Sequence, residues 1–176
     1  DFFIETENQN TYTFEKVILT TARRNYPKTG SDGNGYKKEK KLGHTVFPTV
    51  PALVQLVGND DFYKIIAGVR SEGVASLKID GKMIRTECGE IQFTDYGISG
   101  IPIFQLSRIA SYGLFEKKSV QIHVDVLPGI SNVNEFVENR SILHNKNTLE
   151  EFMCGIANKK LCLLAIKLNH FHPNTK

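Results

Sequence analysis

Two glycine-rich stretches carry the residue types best able to bind or transform a small molecule. The first is Asn25-Tyr26-Pro27-Lys28-Thr29-Gly30-Ser31-Asp32-Gly33-Asn34-Gly35-Tyr36. Its closely spaced glycines allow positive φ and turn backbone N–H groups outward. Feeding a helix N-terminus, such a loop suits an anion, because orphan N–H groups and the helix dipole converge there. A purely structural turn fits the same residues. The order Gly30-x-x-Gly33-x-Gly35 is not the G-x-G-x-x-G dinucleotide fingerprint, and no Walker A sequence occurs. The second stretch is Thr94-Asp95-Tyr96-Gly97-Ile98-Ser99-Gly100. It sets hydroxyls, a carboxylate and backbone N–H groups ahead of an apolar run. Tyr96 and Asp95 are its candidates for general acid–base work. Asp95 is also a suitable helix N-cap, and a strand-to-helix connector is the competing reading.

Spacing excludes other chemistries. His170-x-His172 is the one close pair among His44, His123, His144, His170 and His172, and there is no H-E-x-x-H or Cys/His zinc pattern. Gly97-Ile98-Ser99-Gly100 is one residue short of the G-x-S-x-G elbow. Cys88, Cys154 and Cys162 are odd in number and far apart, with no C-x-x-C. They read as free, buried thiols in a reducing compartment, hence the cytoplasm.

The elements that must position these loops follow from periodicity. Phe2, Ile4 and Thr6, then Tyr12 and Phe14, predict a hairpin, and Val17-Ile18-Leu19 reads as a strand buried on both faces. Tyr36–Leu42 predicts a short helix closed by Gly43. His44–Phe47 and Ala52–Val57 read as strands, and Asp60–Ala67 as a helical turn or two capped by Asp60 or Asp61. Short strands are expected at 73–79, 82–86 and 90–94, with Asp80-Gly81 as the strongest hairpin signal. Ile101–Tyr112 predicts a buried helix opened by Pro102, and 119–126 an alternating strand. From residue 131 the period becomes helical, with helices around Val133–Leu143, Leu149–Ile156 and Lys159–Asn169, and a frayed tail after them.

Composition agrees with a globular chain: 176 residues, 40% hydrophobic and 23% charged. This argues against wholesale disorder and fibrous repeats. No apolar run approaches the roughly 20 residues of a membrane-spanning helix, so no membrane partner is expected. A net charge of +3 is too weak to imply nucleic acid. Lys37, Lys38, Lys40 and Lys41 read as a solvated helix face. The chain opens with Asp1, inside a strand pattern, which points to a piece of a longer protein.

The two loops carry a resemblance. Residues 26–36, followed by Leu42-Gly43-His44-Thr45 and Pro51-Ala52-Leu53-Val54, resemble the BaiN-like NAD(P)/FAD-dependent oxidoreductases, the aminoacetone-oxidase-like flavoproteins. So does Gly89–Pro102, running on to Gln105-Leu106-Ser107-Arg108, and so does Val124-Asp125-Val126-Leu127-Pro128. The matches keep their order over roughly residues 12–128. The resemblance implies the middle of such a protein, without the dinucleotide fingerprint or the segment returning to the flavin domain. It implies FAD as cofactor of the full-length protein, not retained by this chain alone, with NAD(P)H as a further co-substrate. It places Thr29, Gly30, Ser31, Asp32, Gly33 and Tyr36 near the flavin, and Thr94, Tyr96, Gly97, Ser99 and Gly100 on the substrate side. The family's Ala-Thr-Gly-Gly-like turn is replaced here by Thr20-Thr21-Ala22-Arg23, whose side chains narrow backbone approach to a cofactor.

The expected architecture is α+β. Residues 1–43 form a strand pair, loop and helix belonging with a flavin domain. Residues 44–128 form a small antiparallel β-barrel or sandwich, and 129–176 a helical subdomain. The expected function is the insert that caps the flavin and shapes the substrate pocket, inactive alone. Its partners would be the remaining flavin domain of the same protein and a small-molecule substrate. The alternative is a stand-alone binding module for a small anionic ligand or a partner protein, without redox activity.

Overall fold

Alternating apolar residues near the start pair as expected: strand β1 (Phe2–Glu5) runs antiparallel to β2 (Thr11–Phe14), with Phe2 opposite Phe14 and Ile4 opposite Tyr12. The computed structural model describes residues 1–21 and 24–175. Val17-Ile18-Leu19 departs from expectation. It lies outside any strand, and Ile18 is 86% exposed. A doubly buried strand needs a neighbour on each side, and no described strand lies beside this triplet. Helix α1 (Asn34–Lys41) ends as predicted: Gly43 takes φ 87°, its N–H donates to Lys40 O, and His44 N–H donates to Glu39 O, both at 3.1 Å. The four lysines of the cluster lie exposed along α1, three of them in its last turn. His44–Phe47 forms no strand. Residues 1–49 make one compact unit, and residues 50–176 a second.

The second unit is built on one antiparallel sheet. Its strands are β3 (Leu56–Val57), β4 (Arg70–Ile79), β5 (Lys82–Phe93), β6 (Gly97–Ser99) and β7 (Val120–Asp125), in the order β3-β6-β5-β4-β7. The sheet curls as a half-barrel. Asp80 and Gly81 take φ of 49° and 78°, the left-handed pair that a two-residue hairpin demands. The short strands expected beyond this turn are one continuous strand, β5. Gly89 does not break it, because Gly73 of β4 lies opposite and the ladder runs on. Of Ala52–Val57 only Leu56–Val57 pairs, since its partner β6 is itself three residues long. Helix α2 (Tyr63–Ile66) starts after Phe62, with no side-chain cap from Asp60 or Asp61.

Helix α3 (Ile101–Phe115) lies on the sheet and buries Ile103, Leu106 and Ala110. They meet Ala75, Leu77, Ile91, Phe93 and Ile98 in a single apolar core. Three capped helices follow. In α4 (Val133–Leu143), Asn132 accepts from Glu135 N–H at 3.2 Å. In α5 (Leu149–Met153), Thr148 and Glu151 form a reciprocal capping box. In α6 (Lys159–Leu168), Asn158 accepts from Lys160 N–H at 3.0 Å. Leu164 of α6 reaches the sheet core, and Lys160 Nζ donates to Ala67 O at 2.9 Å. Within its described residues, 170–175, the tail is not frayed. Leu149 N–H donates to Thr175 O at 2.7 Å and Glu150 N–H to Pro173 O at 3.0 Å. The last residues thus satisfy orphan donors at the start of α5. The cysteines are free as expected, but Cys162 alone is buried, and Cys88 and Cys154 are exposed.

Candidate functional site

The second glycine loop is woven into the sheet. Thr94 N–H donates to Gly97 O and Gly58 N–H to Tyr96 O, both at 2.9 Å. Residues 94–97 therefore form the tight turn between β5 and β6. Gly97 sits where a Cβ would run into Leu56 O of the neighbouring strand, so only glycine allows β6 to lie between β3 and β5. Gly100 has φ 110° and caps α3, and a Cβ there would strike Glu90 O. The capping role expected of Asp95 thus falls to Gly100. Asp95 and Tyr96 are exposed at the turn, Ser99 and Gly100 are half-buried, and Gly97 is buried. The half-buried Thr94 has its Oγ1 sealed from solvent, with no hydrogen-bond partner among the described residues.

The first glycine loop, in the other unit, is held by its own side chains. Ser31 Oγ accepts from Asn25 N–H at 3.0 Å and from Tyr26 N–H at 2.9 Å. Thr29 Oγ1 donates to Tyr26 O at 2.9 Å. Gly30 and Gly33 take φ of 89° and 85°, and Gly33 is the N-cap of α1. The Asp32 carboxylate accepts from Asn34 N–H at 3.0 Å and from the Asn34 side-chain amide. The position at the helix start that suits an anion is therefore taken by the protein's own carboxylate. Tyr36 is half-buried in the first turn of α1. In the preceding turn, Ala22 and Arg23 lie outside the described residues.

Comparison with known proteins decides the kinship. Residues 50–176 match the family model described as the HI0933-like protein barrel and H2TH domain. The chain belongs to the HI0933-like family. Over 175 residues it is 36% identical to the 3-dehydro-bile acid delta(4,6)-reductase of Clostridium scindens, with 98% of this chain aligned. The chain spans 42% of that relative's length. This is the flavin-dependent, BaiN-like oxidoreductase family, and the HI0933-like barrel and helical domain coincides with the second compact unit.

Within this HI0933-like domain, several working residues escape sequence reasoning. Ser107 is fully buried in α3, where its Oγ donates to Phe104 O at 2.7 Å and accepts from Val54 N–H at 3.2 Å. It pins the segment leading into β3. Gln105, with its amide nitrogen toward β5, donates to Glu87 Oε2 at 2.7 Å, and Glu87 also pairs with Arg85. Arg140 of α4 donates to Phe152 O at 2.7 Å and Cys154 O at 2.6 Å. Its guanidinium also lies over the Phe152 ring, 5.6 Å from the centroid. Their roles are not legible locally, because Val54, Glu87, Phe152 and Cys154 each lie on another segment of the fold. Among the described residues, no group of three or more His, Cys, Asp or Glu could hold a metal ion. No described helix is long and apolar enough to cross a membrane.

Proposed function

We propose that this chain is the insert region of a cytoplasmic FAD-dependent, NAD(P)H-linked oxidoreductase, with residues 50–176 capping the flavin and shaping the substrate pocket. The carrying observation is the first unit. Among its described residues Gly35 alone is buried, while Phe3, Ile18 and Phe47 are 76%, 86% and 78% exposed. Apolar faces of this kind mark contact surfaces. The reading assigns them to the remaining flavin domain of the same protein.

The residues present do not fit the whole of FAD. A diphosphate calls for unpaired N–H groups or cations at a helix start, and Asp32 supplies a carboxylate there instead. This speaks equally against the module that binds a small anion. The 29–36 loop offers hydroxyl and carboxylate groups suited to the hydroxyl-bearing part of a flavin. The pyrophosphate therefore belongs to another segment, and this chain alone does not retain the cofactor. The flavin supplies electron transfer when bound, and the protein supplies orientation. On the substrate side, the exposed turn offers Tyr96 as a hydroxyl proton donor. Asp95 beside it has no hydrogen-bond or ion-pair partner among the described residues. Thr94, Ser99 and the glycines 97 and 100 shape the backbone around them. The substrate is a small molecule.

An absorbance scan from about 300 to 550 nm with added FAD tests this, comparing the 176-residue chain with the full-length protein. The expected result is no flavin band for the chain and a bound, reducible flavin for the full protein. Stoichiometric flavin on the chain alone, or none on the full protein, overturns the reading.

A further inference from the structure

Two of the free cysteines share one cavity. It holds about 400 Å³, and Cys154, Cys162, Met153, Gly155 and Lys159 are in its lining. Cys162 is buried on α6, and Cys154 is exposed at the end of α5. The Cys162 thiol donates to Met153 O at 3.4 Å or to Ala157 O at 3.6 Å. Met153 is bonded to Cys154, and the planar trans peptide between them keeps that oxygen within about 3 Å of the Cys154 Cα. The buried sulfur is therefore a neighbour of Cys154. The loop joining α5 to α6 has room to bring the two sulfurs together, since Gly155 takes φ 80° with open space where a side chain would sit. Lys159 Nζ is held by Glu150 at 2.9 Å, and its ammonium also feels the charge of an ionised Cys154. Cys88 makes the contrast. It is exposed on β5 opposite Val74, with no second cysteine on β4 or β5.

We propose that Cys154 and Cys162 are a redox pair whose oxidant is a low-molecular-weight disulfide. The exposed Cys154 thiolate attacks one sulfur of the reagent, forms a mixed disulfide and expels one thiolate. Cys162 then attacks the Cys154 sulfur, breaks the mixed S–S bond and expels the second thiolate. The two protein thiols lose two electrons, the reagent's S–S bond is reduced to two thiols, and the protein's two protons pass to the leaving sulfurs. An accessible attacking thiol near a cation, backed by a resolving thiol, is the arrangement this exchange needs. Packing accounts for a buried Cys162, but not for an exposed thiol on the same cavity. In a reducing compartment such a link is transient and reports redox state. It ties the end of α5 to α6 and draws on Cys154, whose carbonyl Arg140 of α4 holds at 2.6 Å, so the change reaches a third helix. The inference does not depend on the flavin.

Equilibration of the 176-residue chain with oxidised and reduced glutathione in varied ratio, followed by acid quenching and peptide mapping by mass spectrometry, tests it. In the folded chain Cys154 should be joined to Cys162, while Cys88 carries glutathione or stays free. The link should be about tenfold more favourable in the folded chain than in urea, where closeness in sequence acts alone. Cys162→Ala should stop at a mixed disulfide on Cys154, and Cys154→Ser should leave Cys162 unmodified. A Cys154 that keeps glutathione in the unmodified chain overturns the proposal, and so does a link no more favourable folded than in urea. Circular dichroism checks that each variant folds. If Cys162→Ala does not, Cys154→Ser decides the order of attack, and ready modification of Cys162 there overturns it.

Discussion

Arg140 joins two helices through three contacts, two hydrogen bonds and one cation–ring contact, made by one half-buried side chain. Its charge-assisted bonds to Phe152 O and Cys154 O hold the end of α5, and its plane covers the Phe152 ring. Arg140→Ala should destabilise the second unit by about 2–4 kcal/mol in denaturant unfolding. Arg140→Lys should recover only part of this, because an ammonium lacks the planar fork. Tyr63 is a second residue that sequence alone does not mark. Burial raises its phenol above the usual tyrosine range, and the negative charge of Asp60 adds to the effect. Its ring lies where any side chain at position 58 would collide, so Gly58 makes its seat. The folded state therefore holds the Tyr63 proton more tightly than the unfolded chain does. That contribution is fully present below the ordinary tyrosine value near 10 and is lost as pH rises through the higher folded value. Denaturation midpoints measured between about pH 9 and 11 should fall less steeply for Tyr63→Phe than for the unmodified protein.

At the scale of elements, local rules act most clearly where the chain supplies both partners of an interaction within a few residues. Asp80-Gly81 gives the hairpin, Gly43 ends α1, and Thr148 with Glu151 starts α5. Thr148→Ala should cost about 1 kcal/mol, read as a lowered denaturation midpoint, and Thr148→Ser should restore it. The candidate loops show how far local reading extends. Gly97 and Gly100 stand out as glycines in the sequence, but the reason for each is a carbonyl from another strand, Leu56 O and Glu90 O. Of the two readings of the first loop, structural turn or anion site, the anion's place at Gly33 is taken by Asp32, whose carboxylate accepts from the N–H of Asn34 two residues on. That short Asx contact is visible in the sequence only as a turn residue. The β5 strand shows the opposite error, since Cys88-Gly89 looks like a break until its β4 partner is in place.

For the molecule as a whole, the two units differ in how they are stabilised. Among the described residues, the apolar core lies entirely within residues 50–176, from Ile66 and Val69 to Leu164 and Ile166. Residues 1–49 hold a hairpin and one helix with little buried among the described residues. Residues 50–176 expressed alone should therefore unfold cooperatively, by circular dichroism, with a midpoint close to that of the 176-residue chain. A peptide of residues 1–49 should show no cooperative transition, because an isolated hairpin and a short helix are marginal in water.

By itself the sequence determined the α+β class, the Asp80-Gly81 turn, the Gly43 ending of α1 and the kinship, because each rests on neighbouring residues or on ordered motifs. The tertiary structure decided the rest. It made one long β5 from two expected strands, left Val17-Ile18-Leu19 without a described strand partner, and set Pro173 and Thr175 against the start of α5. The physical reason is common to all three: whether a strand continues, pairs or stays exposed depends on hydrogen-bond partners far along the chain, and their positions are set only when the sheet has formed.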